Sequence, residues 1–462
     1  MIEKYYSGVI EQIYNRIGKE TRNIVMANYS NDFSIENLEV IRRYQSNEDN
    51  VFFAYSEFSY NTLVGAYEPF LDIICNMHRR FIGGSFDDFQ KECGVYYLHR
   101  QVLNSYYETG ECFREETVLL NEVAYEQRRM TMAIADMLKK LSEVKPLMIV
   151  INRFQMASKS SIETIKYLID NPCANIGIVL GVNAIVKGTD STVEVWDRIV
   201  ESLEDRSAIY YIGSAGPLKN NVKTTNDDEL YITMNFEQSI QEASNIMEFL
   251  DFEQARRGCR IIEHKLKFED AWIDEKSLRR FYMVYARTSV LLGEMSKAIE
   301  LTNEYKALIP ENDSEHYLSL YYFMKGTCYM YQGKLEKAGN SAKSAYDYAV
   351  LAEDDTLIFK AELLSVMIKM SGWYNIFFCV QDIPVSDEII EKLIKHGYRN
   401  HLAHIYIYAY DNSRDVVKQS FYDESLLKHF TKGLELAKEI GNEQLVYDAY
   451  QKTIMLASTS GL

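Results

Sequence analysis

The fold of the first half of the chain is decided by the stretch Lys145–Leu168, which reads KPLMIVINRFQMASKSSIETIKYL. A short apolar run, Leu147–Ile151, directly follows Pro146 and leads into a polar loop. An amphipathic run begins near Ser160. An apolar run followed by an amphipathic one predicts a buried parallel strand and the crossover helix that comes after it.

Two positions at the end of this predicted strand argue against nucleotide hydrolysis. In P-loop ATPases a strand of this kind ends in an acidic pair, in which one carboxylate holds Mg²⁺ and the second polarises the attacking water. Asn152 and Arg153 occupy these places here. Because a neutral amide and a cation cannot hold Mg²⁺ in that way, the sequence predicts a nucleotide-binding fold without catalytic residues.

The same segment resembles the Walker B region of STAND-type signalling ATPases, the AAA-like modules of many bacterial transcription activators and cyclases. The residues that carry this resemblance are Phe154, Gln155, Ala157, Ser161 and Ile162. Upstream, VFFAYSEFSYNTLVGAYEPFLDII (Val51–Ile74) resembles the strand and helix that precede this region in the family. The resemblance implies a P-loop-like α/β domain with a parallel sheet over residues 1–235.

The phosphate loop of that family should follow the first predicted strand, Asn23–Ala27. Such a loop needs glycines, whose backbone N–H groups wrap the phosphates, together with a Lys and a Ser or Thr. Ala27 and Asp32 stand in place of the glycines, and Phe33 replaces the lysine. Ser34 alone remains as a vestigial nucleotide-binding residue, and it is more simply explained as a helix N-cap.

The second half of the chain, residues 236–462, is periodic in the manner of helices joined by short turns. The segments Tyr285–Pro310 and Lys325–Ala349 align at an offset of 40 residues. The offset superposes two turn glycines and two small residues of the following helix: Gly293 on Gly333 and Ala298 on Ala338. A period of this size predicts an α-solenoid of stacked helical hairpins, and the details resemble tetratricopeptide repeats.

The resemblance to tetratricopeptide repeats implies a concave groove lined by the first helix of each hairpin. The groove-facing candidates are Arg280, Met283, Arg287, Phe323, Thr327 and Met330. Arg280 and Arg287 either hold an acidic partner or are solvated charges. Three neighbouring tyrosines are predicted to fill core positions: Tyr282, Tyr322 and Tyr329. The expected partner is a protein or peptide, or a small ligand.

Net charge, apolar stretches and cysteine content argue against several classes of function. The formal net charge of −17 over 462 residues argues against direct nucleic-acid binding, which needs clustered cations. The longest apolar stretch, Ile176–Val186, is too short to span a membrane. The seven cysteines are scattered without a CxxC motif, which indicates reduced thiols in a cytoplasm and no metal site.

We therefore expect a non-catalytic signalling scaffold, in which a pseudo-ATPase domain without cofactor or metal precedes a helical-repeat array. Gln444–Ser458 is predicted to be the first helix of a further hairpin, and the sequence ends before a second helix that would complete it. We accordingly expect the front part of a larger bacterial transcription or signalling regulator, with an effector module beyond. Two alternatives remain open. The protein is an active ATPase in which Asp32 or Glu57 reaches the metal, or it binds a ligand other than a nucleotide in the cleft at the C-terminal ends of the strands.

Overall fold

The computed structural model describes most of the chain, and its residues form two compact units. The described residues are 2–30, 38–46, 50–59, 62–116, 118–183, 188–189, 193–206, 208–213, 224–225, 235–268, 273–312, 314–374, 387–409 and 424–459. The first unit comprises Met1–Val95, His99–Phe113 and Asn121–Ile273. The second comprises Tyr96–Leu98, Arg114–Leu120 and Asp274–Leu462.

The first unit is built on a five-stranded parallel sheet in the order β2-β3-β4-β1-β6. Its strands are β1 (Ile24–Tyr29), β2 (Phe52–Glu57), β3 (Leu147–Asn152), β4 (Ile176–Asn183) and β6 (Ile209–Ile212). Two further strands of two residues pair with each other, β5 (Gly188–Thr189) and β7 (Thr224–Thr225). Every residue of β1, β3 and β4 is buried, as expected for parallel strands covered on both faces.

Helices precede, separate and follow these strands along the chain. They are α1 (Ile2–Arg16), α2 (Glu39–Gln45), α3 (Phe70–Met77), α4 (Phe86–Glu92), α5 (Tyr97–Thr109), α6 (Val123–Val144), α7 (Lys159–Asp170), α8 (Val193–Glu204), α9 (Phe236–Glu248) and α10 (Phe252–Phe268). A π-helical turn, His78–Ile82, extends α3. The crossover helix predicted from Ser160 is α7, whose N-cap Ser158 accepts a hydrogen bond from the N–H of Ser161, so the strand-to-helix prediction is confirmed.

The second unit consists of helical hairpins. Its helices are α11 (Glu275–Leu291), α12 (Met295–Ala307), α13 (Ser314–Tyr331), α14 (Leu335–Leu351), α15 (Asp355–Tyr374), α16 (Asp387–Lys395), α17 (Arg399–His404), α18 (Glu424–Ile440) and α19 (Glu443–Thr459). Consecutive helices pack against each other, α11 on α12 and α13 on α14. The predicted fold class, a parallel-sheet α/β domain followed by an α-solenoid, is confirmed.

The small residues of the aligned repeats lie where helices meet. Gly293 and Gly333 both take positive φ, at +77° and +71°, which glycine adopts without steric cost in a tight turn. Ala298 and Ala338 are completely buried. A Cβ on Gly326 would lie 3.1 Å from a methyl carbon of Leu364, so α13 and its neighbours approach closely at this point.

The helices α9 and α10 belong by their contacts to the first unit, which extends to Ile273. The boundary predicted between residues 235 and 236 lies before them, and it stays a prediction. A Cβ on Gly258 of α10 would come within 2.7 Å of a methyl carbon of Leu63, which shows how tightly α10 packs on the loop after β2. Among the described helices, none is long and apolar enough to cross a membrane.

Candidate functional site

The position of the missing Walker B acid is held by Asn152 at the end of β3. Its side-chain Oδ1 accepts a hydrogen bond of 2.7 Å from the hydroxyl of Tyr29, and both residues are completely buried. Tyr29 ends β1, and β4 lies between β1 and β3 in the sheet. The bond therefore reaches over β4 and ties together the strand ends where a nucleotide site would lie.

A second tyrosine fills the space above this bond. Tyr6 of α1 is completely buried, and its ring meets that of Tyr29 edge-on at a centroid distance of 6.2 Å. Gly181 of β4 makes room for it, because a Cβ at this position would collide with the hydroxyl of Tyr6. Burial, and then the neighbouring Tyr29, raise the pKa of Tyr6 well above its usual value.

The next residue along the chain, Arg153, forms an ion pair across the strand ends. Its Nη1 lies 2.8 Å from Oε1 of Glu57, with the side chains 21% and 15% exposed. The other carboxylate oxygen of Glu57 accepts a hydrogen bond from the hydroxyl of Tyr55. Arg153 has φ of 55° and ψ of 40°, a left-handed conformation that costs free energy in a residue other than glycine.

These contacts do not fit a magnesium nucleotide. The oxygen of Asn152 is engaged by Tyr29, and the charge of Glu57, the alternative metal ligand, is balanced by Arg153. Ser34 and Asp32 lie outside the described residues. Within the described part of the chain, no group of three or more His, Cys, Asp or Glu side chains is placed to hold a metal ion.

A cavity of about 360 Å³ opens elsewhere in the first unit. Its walls come from the loop after β2, α3, α5 and α9, and its lining combines acidic, aromatic and apolar groups: Thr62, Leu63, Gly65, Ala66, Glu68, Leu71, Asp72, Tyr106, Glu242, Asn245 and Phe249. The sequence gives no signal for this cavity, because Glu242 is far along the chain from Glu68 and Asp72.

The carboxylates of the cavity act on one another electrostatically. Burial, and then the charges of Glu68 and Asp72, raise the pKa of Glu242 to about 7. The hydroxyl of Tyr106 donates to Oδ1 of Asp72 at 3.0 Å, and the N–H of Gly65 donates to Oε2 of Glu68 at 2.9 Å. Carboxylates on these walls disfavour phosphate groups.

The six groove candidates lie on α11 and α13 and differ in exposure. Arg280 is exposed, whereas Met330 is buried in a cluster with residues of α14 and α15. The other four are partly buried: Met283, Arg287, Phe323 and Thr327. The hydroxyl of Thr327 donates to the backbone oxygen of Phe323. Met330 thus packs in the core, and the binding role of this set stays a prediction.

The three tyrosines expected in the core, Tyr282, Tyr322 and Tyr329, are partly buried. Tyr322 stacks on Tyr348 with ring centroids 5.6 Å apart. Tyr329 packs against the cluster that contains Met330. Both therefore serve hairpin packing, as that interpretation expects.

The described residues define an α/β domain whose strand ends are linked by polar contacts, followed by a helical-repeat unit. No family model matches the chain, and no curated protein matches it. A similar solved structure is a Signal Transduction ATPase with Numerous Domains (STAND) protein with a tetratricopeptide repeat sensor from Pyrococcus horikoshii. It shares 12% identity at a TM-score of 0.40, over 95% of this chain and 78% of that one. A TM-score of 0.40 is too low to define a shared fold.

Proposed function

We propose that this protein is a non-catalytic signalling scaffold of the cytoplasm, in which the α/β unit is a pseudo-ATPase and the helical unit docks a protein or peptide. The observation that supports the first part is the set of contacts at the strand ends. Asn152 bonds to Tyr29, and Arg153 pairs with Glu57. Tyr6 packs over Gly181 beside them. We further propose a role in bacterial signalling or transcription control, with the output supplied by another module.

The ion pair also opposes binding of a magnesium nucleotide. Glu57, the alternative metal ligand, would have to give up its contact with Arg153, a partly buried pair 2.8 Å apart. Separating such a pair costs free energy because it leaves both charges without their partner.

Titration with labelled ATP and Mg²⁺ tests this proposal. We expect no saturable binding below about 1 mM, a concentration that corresponds to roughly 4 kcal/mol, and no hydrolysis. Tyr6→Ala should not create turnover, because it supplies neither metal ligand nor phosphate loop. Tyr5→Ala is the matched control, since the neighbouring Tyr5 is 63% exposed.

Micromolar binding with turnover would overturn the pseudo-ATPase. In that case Glu57→Gln or Ser34→Ala should abolish hydrolysis, as expected if either side chain reaches the metal. Glu57→Gln has a second readout. It weakens the ion pair with Arg153, so the variant should be thermally less stable than the wild type. A fall in stability without any change in nucleotide binding supports the proposed role of Glu57.

The docking part of the proposal depends on the cationic residues of α11. Arg280 is exposed and Arg287 partly buried, and guanidinium groups bind carboxylates through paired hydrogen bonds. We expect peptides rich in Asp and Glu, screened on an array, to bind the intact protein, and the double variant Arg280→Glu/Arg287→Glu to lose that binding. Lys343→Glu, at an exposed position of α14, should retain it. Equal loss in both variants would mean nonspecific attraction of charge.

A further inference from the structure

A short segment from the first half of the sequence is part of the helical unit. This segment, Arg114–Leu120, is termed the strap, and the structure describes all of it except residue 117. The chain leaves the first unit after Phe113 and returns to it at Asn121. The described residues from 111 to 119 form neither helix nor strand. The strap is therefore held by contacts other than regular secondary structure.

The principal contact of the strap is the carboxylate of Glu116, which is completely buried. Its Oε1 accepts a hydrogen bond from the backbone N–H of His401 at 2.6 Å, and its Oε2 accepts one from the N–H of Asn400 at 3.2 Å. The ring Nδ1 of His401 also lies 2.6 Å from Oε1. Two backbone N–H groups thus donate to this one side chain, and the imidazole of His401 lies within hydrogen-bonding distance of it.

Backbone groups on either side of Glu116 are bound as well. The hydroxyl of Tyr398 donates to the backbone oxygen of Glu115 at 2.6 Å. The hydroxyl of Tyr331, at the end of α13, accepts from the N–H of Leu120 at 3.3 Å. The helical unit thus binds the strap through hydrogen bonds to two of its backbone groups and to one carboxylate.

Two apolar residues of the strap are buried as well. Val118 and Leu119 are each 7% exposed, although they belong to a segment without secondary structure. Glu115, by contrast, has an exposed side chain. A buried acid followed by buried aliphatic residues is an arrangement by which a folded surface recognises an extended peptide, with main-chain bonds for affinity and side chains for specificity.

We propose that the helical unit contains a peptide-binding site formed by Tyr331, Tyr398 and the residues Asn400 and His401, and that the strap occupies it in cis. The site selects a glutamate followed by aliphatic residues. A partner segment of the same chemistry binds there by displacing the strap. The inference rests on the proposed docking function of the helical unit, but it places the ligand at different residues from the groove of α11 and α13.

The strap competes with a partner as a tethered ligand. Tethering gives an effective concentration in the millimolar range for a short flexible connection, so a free peptide of equal intrinsic affinity is excluded from the wild-type protein. Weakening the strap without changing the site should therefore open the site to peptides in trans. Glu116→Gln does this with minimal change in shape, and Glu115→Gln is the matched control because the same charge is removed from the adjacent exposed position.

The first test is hydrogen–deuterium exchange on the full chain. We expect Glu116→Gln to accelerate exchange in the strap and in residues 399–409 by about tenfold or more, because these groups open more often once the bonds to Glu116 weaken. The peptides of β3 and β4 should keep their wild-type rates, as should all peptides of Glu115→Gln. Unchanged exchange in the strap, or an equal increase throughout the chain, overturns the proposal.

The second test is binding of a fluorescein-labelled peptide with the sequence of residues 113–121, FREETVLLN. We expect the Glu116→Gln protein to bind this peptide at least about tenfold more tightly than the wild type or Glu115→Gln, because removal of the competing cis ligand raises apparent affinity. Glu116→Ala provides a second way to loosen the strap while leaving every residue of the site unchanged. A peptide with Gln in place of Glu116 should bind weakly.

Failure of both loosened proteins to bind the peptide overturns the strap site. That result leaves the groove proposal intact if acidic peptides still depend on Arg280 and Arg287. Conversely, suppose that the strap peptide binds the Glu116→Gln protein while Arg280→Glu/Arg287→Glu leaves the binding of acidic peptides unchanged. That result would support the strap site and contradict the groove proposal. The two proposals can therefore fail separately.

Discussion

The carboxylate of Asp251 accepts a hydrogen bond from the backbone N–H of Ser160, with Oδ2 3.0 Å from the nitrogen. Asp251 lies in the turn between α9 and α10, and Ser160 lies in the first turn of α7. Oδ1 of the same carboxylate accepts from the N–H of Gln254 at 3.4 Å. One buried side chain thus caps two helices, and this explains why the turn between α9 and α10 is fixed on the α/β unit.

Replacement of Asp251 by alanine should lower the free energy of unfolding by about 2–3 kcal/mol, because it removes a helix cap and leaves the buried N–H of Ser160 without its acceptor. Chemical denaturation measures this loss. Glu253→Ala is the control. Its ion pair with Lys159 joins side chains that are 33% and 38% exposed, so it should cost less than about 1 kcal/mol. Equal losses would contradict the capping role of Asp251.

Gly181→Ala should destabilise the protein by about 2–3 kcal/mol, because a methyl group at this position collides with the hydroxyl of Tyr6 and overpacks the core. In a Tyr6→Phe background the same substitution should cost at least about 1 kcal/mol less, and a double-mutant cycle measures this coupling.

Gly8→Ala on α1 is the control for Gly181→Ala, since a Cβ there meets no atom within 4 Å. It should be neutral or stabilising by up to about 1 kcal/mol, because alanine favours the helix. An additive result for the Tyr6 and Gly181 substitutions would mean that the tyrosine does not fill the space above the glycine.

Glu242 should make stability depend on pH near neutrality. Its pKa is raised from 4.5 to about 7 by burial and by the charges of Glu68 and Asp72. The folded state therefore favours the protonated acid, and the stability that this group contributes is present below about pH 4.5 and is lost as pH rises through 7. Between pH 5 and pH 8 we expect a loss of about 2 kcal/mol from this source.

Glu242→Gln should flatten this pH dependence, as measured by denaturation midpoints at several pH values. It should also make the variant more stable than the wild type at pH 8, since no charge is then buried beside Glu68 and Asp72. Glu237→Gln, at an exposed position of the same helix, should retain the wild-type slope. If both variants keep that slope, the interaction among the cavity carboxylates is not responsible for it.

Gly326→Ala tests the close approach of helices in the second unit. The added Cβ would lie 3.1 Å from Leu364 Cδ2 and 3.3 Å from Ser341 Cβ, so overpacking should outweigh the gain in helix propensity and cost about 1–2 kcal/mol. Gly339→Ala, where a Cβ meets nothing within 4 Å, should stabilise by about 1 kcal/mol. Thermal unfolding of both variants measures these effects. If both substitutions stabilise the protein, Gly326 does not lie at a close approach of helices.

The strand and hairpin pattern could be predicted from the sequence because it is local. An apolar run bounded by Pro146 is enough to place β3, and the 40-residue offset between Gly293 and Gly333 is enough to place two turns. These features depend on neighbours within a few residues along the chain, where periodicity and backbone preference act.

The long-range contacts near the strand ends could not be predicted in the same way. The sequence shows directly that Asn152 and Arg153 are not acids. The packing of Tyr6 over Gly181, however, joins residues of α1 and β4 that no local sequence pattern connects. Similarly, the helical periodicity after Phe236 identifies α9 and α10 as helices, while their association with the first unit depends on Asp251 and Gly258. Tertiary packing decides which partner an amphipathic helix covers.

The bond between Glu116 and His401 spans 285 residues of sequence, and this has a consequence for the nascent chain. At a synthesis rate of about 5–20 residues per second, the ribosome needs roughly 15–60 s after making Glu116 to reach His401. Throughout that interval the carboxylate of Glu116 has none of the hydrogen bonds that Asn400 and His401 donate in the folded protein. The strap is therefore a segment that a chaperone acting during translation would find without its native partner for much of the time of synthesis.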